Sequence, residues 1–229
     1  MLCQYQKIKL KKYLLVFLSF YCFSNLLVSQ DNKLSVNILN YASSNGYWWL
    51  ENNNFGKRKN DLTISTKLNT ISGNSEYLMT TFFEKNGSEY YGAYINEFFI
   101  KYNLSNYTYF KIGKYYRDFS QYLNDELSSG SMLISNNARA MKKIGIVSSF
   151  EIISHKNINL DFGISHGVFD KNSLYTNAPL LHEKFVYLNI LRKNTKISIG
   201  LVHEAMWGGN IDGVGKQKSS FNDFLKVFI

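Results

Sequence analysis

Along most of the chain, short segments alternate apolar with polar side chains. In Asp61–Thr70, Leu62, Ile64, Thr66 and Leu68 fall on one face and Thr63, Ser65, Lys67 and Asn69 on the other. A segment from Lys196 to Trp207 repeats the pattern, with Ile197, Ile199 and Leu201 set against Lys196, Ser198 and Gly200. A two-residue period predicts β-strands with unlike faces. Further strands are predicted at Lys33–Ala42, Glu76–Lys85, Tyr91–Tyr102, Thr108–Tyr116, Lys143–Ile152, Asn159–Phe169, Lys184–Arg192 and Phe221–Ile229. Ser72-Gly73-Asn74, Asn86-Gly87-Ser88, Leu104-Ser105-Asn106, Lys156-Asn157 and Lys193-Asn194-Thr195 are short connections rich in turn formers, so successive strands should pair as antiparallel hairpins. Longer links run over Asn45–Asn60, Arg117–Lys142, Asp170–Glu183 and Gly208–Ser220. Strands of this length, with short turns alternating imperfectly with long loops, predict an all-β fold. The expected form is a transmembrane antiparallel β-barrel, of which this chain carries about ten strands. A secreted soluble β-sandwich shares the same period and is the competing reading.

The N-terminus adds an export context. Lys7, Lys9, Lys11 and Lys12 precede the apolar stretch Tyr13–Val28, and Val28-Ser29-Gln30 offers a small residue for cleavage. That stretch falls short of the ~20 apolar residues of a spanning helix, so residues 1–29 read as a signal peptide and 30–229 as one barrel domain. Both cysteines, Cys3 and Cys22, lie in the removed part, leaving no thiol, disulfide or cysteine metal site. Removal of the four lysines takes the formal charge from 26 − 17 = +9 to 22 − 17 = +5. That modest excess, without an Arg/Lys stripe, argues against nucleic acid as a partner. With 45% apolar residues but no long apolar run after residue 30, hydrophobicity must be spread by alternation, as in a lipid-facing barrel. Trp48, Trp49, Tyr90, Tyr91, Tyr115, Tyr116 and Trp207 stand near strand ends, where aromatic rings anchor at a lipid–water boundary.

The least strand-like region is Arg117–Lys142. Its Leu127–Ile134 part is too apolar for a disordered tail and suits a segment folded against or into a lumen. Asn136, Asn137 and Arg139 supply amide and guanidinium donors suited to hydroxyl- and carboxylate-bearing ligands.

At these residues the chain resembles the Wzi-type capsule assembly family of outer-membrane proteins. The matching stretches are Lys111-Ile112-Gly113-Lys114-Tyr115-Tyr116-Arg117-Asp118, Leu127-Ser128-Ser129-Gly130-Ser131, Ser135-Asn136-Asn137-Ala138-Arg139, Leu181-His182-Glu183-Lys184 and His203-Glu204-Ala205-Met206-Trp207-Gly208-Gly209. The resemblance spans roughly residues 90 to 229 and keeps the order of the motifs. Where the family commonly has Pro after Ala-Arg, this chain reads Ala140-Met141-Lys142. The resemblance implies a large barrel of roughly eighteen strands. Members are usually about twice as long, so this chain looks like an N-terminal portion. It also implies an outer-membrane location and non-enzymatic retention of capsular or exopolysaccharide at the cell surface. Candidate polysaccharide-binding or loop-organising residues are Arg117, Asp118, Asn136, Asn137 and Arg139, then His182, Glu183, His203, Glu204 and Trp207.

Enzymatic readings are weaker. No pair among His155, His166, His182 and His203 has the spacing of an H-E-x-x-H metal site. The His-Glu dipeptides at 182–183 and 203–204 place adjacent residues on opposite strand faces. No G-x-S-x-G motif marks a nucleophile, and Asp118, Asp125 and Glu126 only weakly suggest a glycosidase pair. No catalytic residue, metal or cofactor is expected. A small-solute porin with a charged constriction remains the alternative, followed by an outer-membrane hydrolase.

Overall fold

A computed structural model describes residues 31–40, 62–86, 90–117, 139–153, 157–170 and 175–228. The signal segment, Asp118, Asn136 and Asn137 lie outside the described residues. The chain divides into two compact units, one holding residues 1–47 and 58–98 and the other 48–57 and 99–229.

In the first unit, β1 (Asp31–Asn40), β2 (Leu62–Ser72) and β3 (Ser75–Asn86) pair antiparallel in chain order. Register puts Leu34 opposite Leu68 and Ile38 opposite Ile64 on one face. Thr63 opposite Glu84 and Ser65 opposite Phe82 share the other. Thr63, Ser65 and Glu84 are buried, whereas Leu34, Val36 and Ile38 are 63%, 56% and 66% exposed. Buried Glu84 accepts a hydrogen bond from Tyr94 OH at 2.7 Å. Tyr94 belongs to β4 (Tyr90–Asn103), which crosses into the second unit between Phe98 and Phe99.

The second unit continues with β5 (Thr108–Tyr115), β6 (Met141–Ile153), β7 (Ile158–Val168), β9 (Leu180–Arg192) and β10 (Thr195–Trp207), paired antiparallel in that order. A second sheet joins the short strands β8 (Tyr175–Asn177), β11 (Asn210–Ile211) and β12 (Gly215–Lys216). Asn157 and Lys193 take positive φ values of 51° and 43°, which lets the β6–β7 and β9–β10 turns close tightly. These turns and the β4–β5 turn share one end of the unit. Among the described residues, 116–117, 139–140, 169–170, 178–179 and 208–228 stand at the other, hereafter the long-loop end.

Each strand's side chains divide by parity. Lys143, Gly145 and Val147 of β6, Asp161, Gly163 and Gly167 of β7, and Leu181, Glu183, Tyr187 and Asn189 of β9 are buried and share a face. A hydrogen-bonded chain crosses four strands there. Ser149 Oγ donates to Asp161 Oδ1, Asn189 Nδ2 donates to Asp161 Oδ2 at 2.6 Å, and Ser198 Oγ donates to Asn189 Oδ1 at 2.7 Å. The opposite face carries Ile112, Ile144, Ile146, Phe162, Val186, Ile197, Ile199 and Leu201, all exposed. The covered face thus mixes polar groups such as Lys143, Asp161 and Glu183 with Val147, Leu181 and Tyr187, while the opposite face exposes a row of aliphatic side chains.

Glycines make room within the covered face. A Cβ on Gly163 would meet the Phe185 ring at 2.6 Å, and one on Gly200 would meet Tyr187 at 1.7 Å. Each large side chain lies across the glycine directly opposite it on the next strand.

Nine of the predicted strands are present, with ends shifted by a few residues. Residues 221–228, predicted as a strand, instead form a helix, α1 (Phe221–Phe228), and the predicted links 170–183 and 208–220 hold β8, the start of β9, β11 and β12. Ser220 and Asp223 make a reciprocal cap. Ser220 N donates to Asp223 Oδ2 at 3.0 Å, and Asp223 N donates to Ser220 Oγ at 3.3 Å. The Ser220 hydroxyl also donates to Asp223 Oδ2 at 2.5 Å. These bonds, the hydroxyl's first, hold the Asp223 carboxyl below its ordinary pKa. Phe221, Phe224 and Phe228 then recur at helical spacing, with Phe224–Phe228 and Trp207–Phe224 centroids 5.7 and 5.5 Å apart. Among the described residues β1 and β10 each pair on one side only, so the strands described do not close a barrel.

Candidate functional site

The long-loop end of the second unit gathers the chemistry. Tyr115 ends β5, Lys143 lies near the start of β6, Ser165 nears the end of β7, Glu183 lies near the start of β9 and Glu204 nears the end of β10. All five share the covered face. Lys143 lies opposite Gly167 on β7, and a Cβ on that glycine would sit 2.9 Å from the Lys143 Cγ. The missing side chain lets the lysine cross β7 and reach the next strand. Its Nζ donates to Glu183 Oε2 at 3.2 Å, with 4% and 3% of the two side chains exposed. Ser165 Oγ donates to the same oxygen. Glu183 Oε1 is buried without a hydrogen-bond partner, as is Glu204 Oε1.

Glu204 is the direct cross-strand partner of Glu183, an arrangement that brings β-carbons to roughly 4.5–5.5 Å and sets like charges against each other. Lys143 and Arg117 are the cations that act on Glu204 electrostatically. Rings line the same face. Tyr115 is 1% exposed, and Lys111 Nζ stands 4.1 and 4.3 Å from the Phe99 and Tyr115 ring centres, within cation–π range. The result is a covered patch of two carboxylates, three cations and aromatic rings. Its carboxylates and cations are groups that hydrogen-bond hydroxyls.

The histidines stand on the opposite face. His166 and His182 are direct cross-strand partners, and their Nδ1 atoms face each other at 3.3 Å, so one ring donates and the other accepts. His203 packs edge-on to His182 at 5.7 Å between centroids. Phe224 of α1 covers His166 at 5.2 Å, and Phe228 covers His182 at 5.4 Å. Lys184 Nζ donates to the Phe228 carbonyl at 2.6 Å, fastening the helix over them. Among the described residues no group of three or more His, Cys, Asp or Glu is arranged to hold a metal ion.

The structure therefore separates the sequence-predicted candidates. Glu183 and Glu204 meet on the covered face, with Arg117 near enough to act on Glu204 electrostatically, while His182, His203 and Trp207 lie on the uncovered face beneath α1. Arg139 is exposed just before β6 and interacts with Lys114. Lys143, Ser165 and Tyr115 were not among the candidates. Their signal was present in parity, since Lys143 shares its strand face with Gly145 and Val147. The opposing Gly167 became visible only with the register.

No known protein family, curated protein or solved structure matches this chain.

Proposed function

We propose that this chain is part of an outer-membrane β-barrel that binds and retains capsular or other surface polysaccharide without chemical turnover. The observation that carries this reading is the row of exposed aliphatic side chains on one face of the strands in both units, with charged and polar residues such as Glu84, Lys143 and Glu183 buried on the other. In β7 the uncovered apolar positions run from Ile158 to Ile164, six steps or roughly 20 Å of strand, near the ~25 Å of a lipid-facing band. Tyr107 and Phe150, 6.2 Å between centroids, stack at the short-turn end, where an aromatic girdle belongs, and Phe162 continues the stack into the band 5.6 Å from Phe150. In this arrangement the Lys143–Glu183–Glu204 patch stands at the strand ends that would face the cell exterior, where an extracellular glycan would arrive.

The test is gene deletion followed by capsule staining and by fractionation of the wild-type protein. Loss of cell-bound polymer together with recovery in the outer-membrane fraction is expected. Unchanged polymer retention would overturn the glycan role. A protein found only in the soluble periplasmic fraction would overturn the barrel. The paired charges across the covered face also suit a channel constriction. Ion conductance in planar bilayers, with polymer retention intact on deletion, would favour that second reading.

A further inference from the structure

His166 of β7 and His182 of β9 are direct cross-strand partners on the uncovered face, and their Nδ1 atoms stand 3.3 Å apart. In the metal-free pair one Nδ1–H donates to the other Nδ1. The same separation suits a shared ion. Two imidazole nitrogens bound to one tetrahedral zinc, each at roughly 2.0–2.1 Å, lie about 3.3 Å from each other. Square-planar coordination, as in Cu(II), would draw them to about 2.9 Å. Neighbouring strands of one ladder carry the two rings, so the sheet sets their spacing before any ion arrives.

Surrounding groups fix the rings and limit what they can bind. Phe224 and Phe228 roof His166 and His182 at 5.2 and 5.4 Å between centroids, which restricts how far either ring can turn. His182 is fully buried, while His166 is only half-buried and leaves the gap reachable from its side. Among the described residues no third His, Cys, Asp or Glu is arranged to join the pair, so water completes the coordination shell. Zinc needs both Nδ1 atoms unprotonated, and the shared proton moves to Nε2 of the ring that held it. For His182 that atom is buried without a hydrogen-bond partner, so it lacks the acceptor that usually backs a metal-bound imidazole. Affinity should therefore fall below that of a structural zinc site with four protein ligands. We propose that His166 Nδ1 and His182 Nδ1 form a two-imidazole binding site for Zn2+. The site stands whether or not this face of the sheet meets lipid.

The experiment titrates zinc chloride into the chelator-treated full chain at neutral pH by calorimetry, and records the visible spectrum with Co2+ in place of zinc. One zinc per chain is expected, together with the intense visible band of tetrahedral cobalt. His166→Ala and His182→Ala should each weaken zinc binding by at least about tenfold, the effect that even groups standing behind a ligand can have. His155 and His203 remain in both variants, so scattered binding at single imidazoles would survive these changes. Undiminished zinc binding by the His166→Ala/His182→Ala protein would overturn the proposal, as would the faint band of six-coordinate cobalt. Nitrogen NMR of the wild-type imidazoles needs no substitution: zinc should move the Nδ1 resonances of two rings. Movement in fewer than two would overturn the site. So would a lack of zinc binding by a chain whose circular dichroism shows folded sheet.

Discussion

Ile146→Lys separates a lipid-facing sheet from a water-facing one. Ile146 lies four residues from Lys142 and four from Phe150 on β6, roughly 13 Å of strand in either direction. Its side chain is 39% exposed and lies opposite Phe110 on β5 and Ile164 on β7, so aliphatic and aromatic groups flank it. A lysine stem cannot carry its ammonium across that distance to a polar rim. If the face meets acyl chains, the charge near the midplane costs about 2–4 kcal/mol, roughly 30- to 700-fold in the folding equilibrium constant. Ile146→Thr controls for lost packing, since it removes aliphatic surface without adding charge. On a water-facing sheet the two variants should agree within about 0.5 kcal/mol. The assay is equilibrium urea unfolding from phosphatidylcholine vesicles, followed by tryptophan fluorescence. A lysine variant as stable as the threonine variant would refute the lipid-facing assignment.

The covered face makes its own demands. Lys143→Met leaves Glu183 charged and covered beside Glu204, and should destabilise by about 3–5 kcal/mol in the same urea titration. The double change Lys143→Met/Glu183→Leu should recover most of that loss, because no unpaired charge remains. Gly163→Ala forces a Cβ against Phe185 and within 3.0 Å of Val147, and should cost about 1–3 kcal/mol, with much of it relieved in a Phe185→Leu background. Ser220→Ala should lower helix stability by about 1 kcal/mol, read as faster amide exchange in residues 221–228. Asp223 has a depressed pKa in the folded chain, so its contribution is complete above the ordinary value near 3.8 and fades as pH falls through the lower folded value. The protection factors of the α1 amides, exchange corrected for its intrinsic pH dependence, should therefore stay level on acidification until pH drops below that ordinary value, then fall.

The strands were readable before any packing was known, because a period of two leaves a one-dimensional record that register does not alter. Asp61–Thr70 and Lys196–Trp207 carried it plainly, and the observed β2 and β10 differ from them by at most two residues at either end. The positive-φ positions at Asn157 and Lys193 lay inside turns that composition had already marked. Phe221–Ile229 misled because aromatic residues favour strands on average, whereas its outcome turned on a local cap and on a Trp207 surface available to Phe224. Alternation divides each strand into two faces but is silent about which one is covered; burial of Lys143, Asp161 and Glu183 supplies that answer. It is equally silent about neighbours. Arg117 and Glu204 are far apart in the chain, and Lys143 meets Glu183 only because β7 lies between them with a glycine at the crossing point. Periodicity is a property of one strand, whereas a site spanning β5 to β10 depends on pairing order and stagger, which arise from contacts distant in sequence.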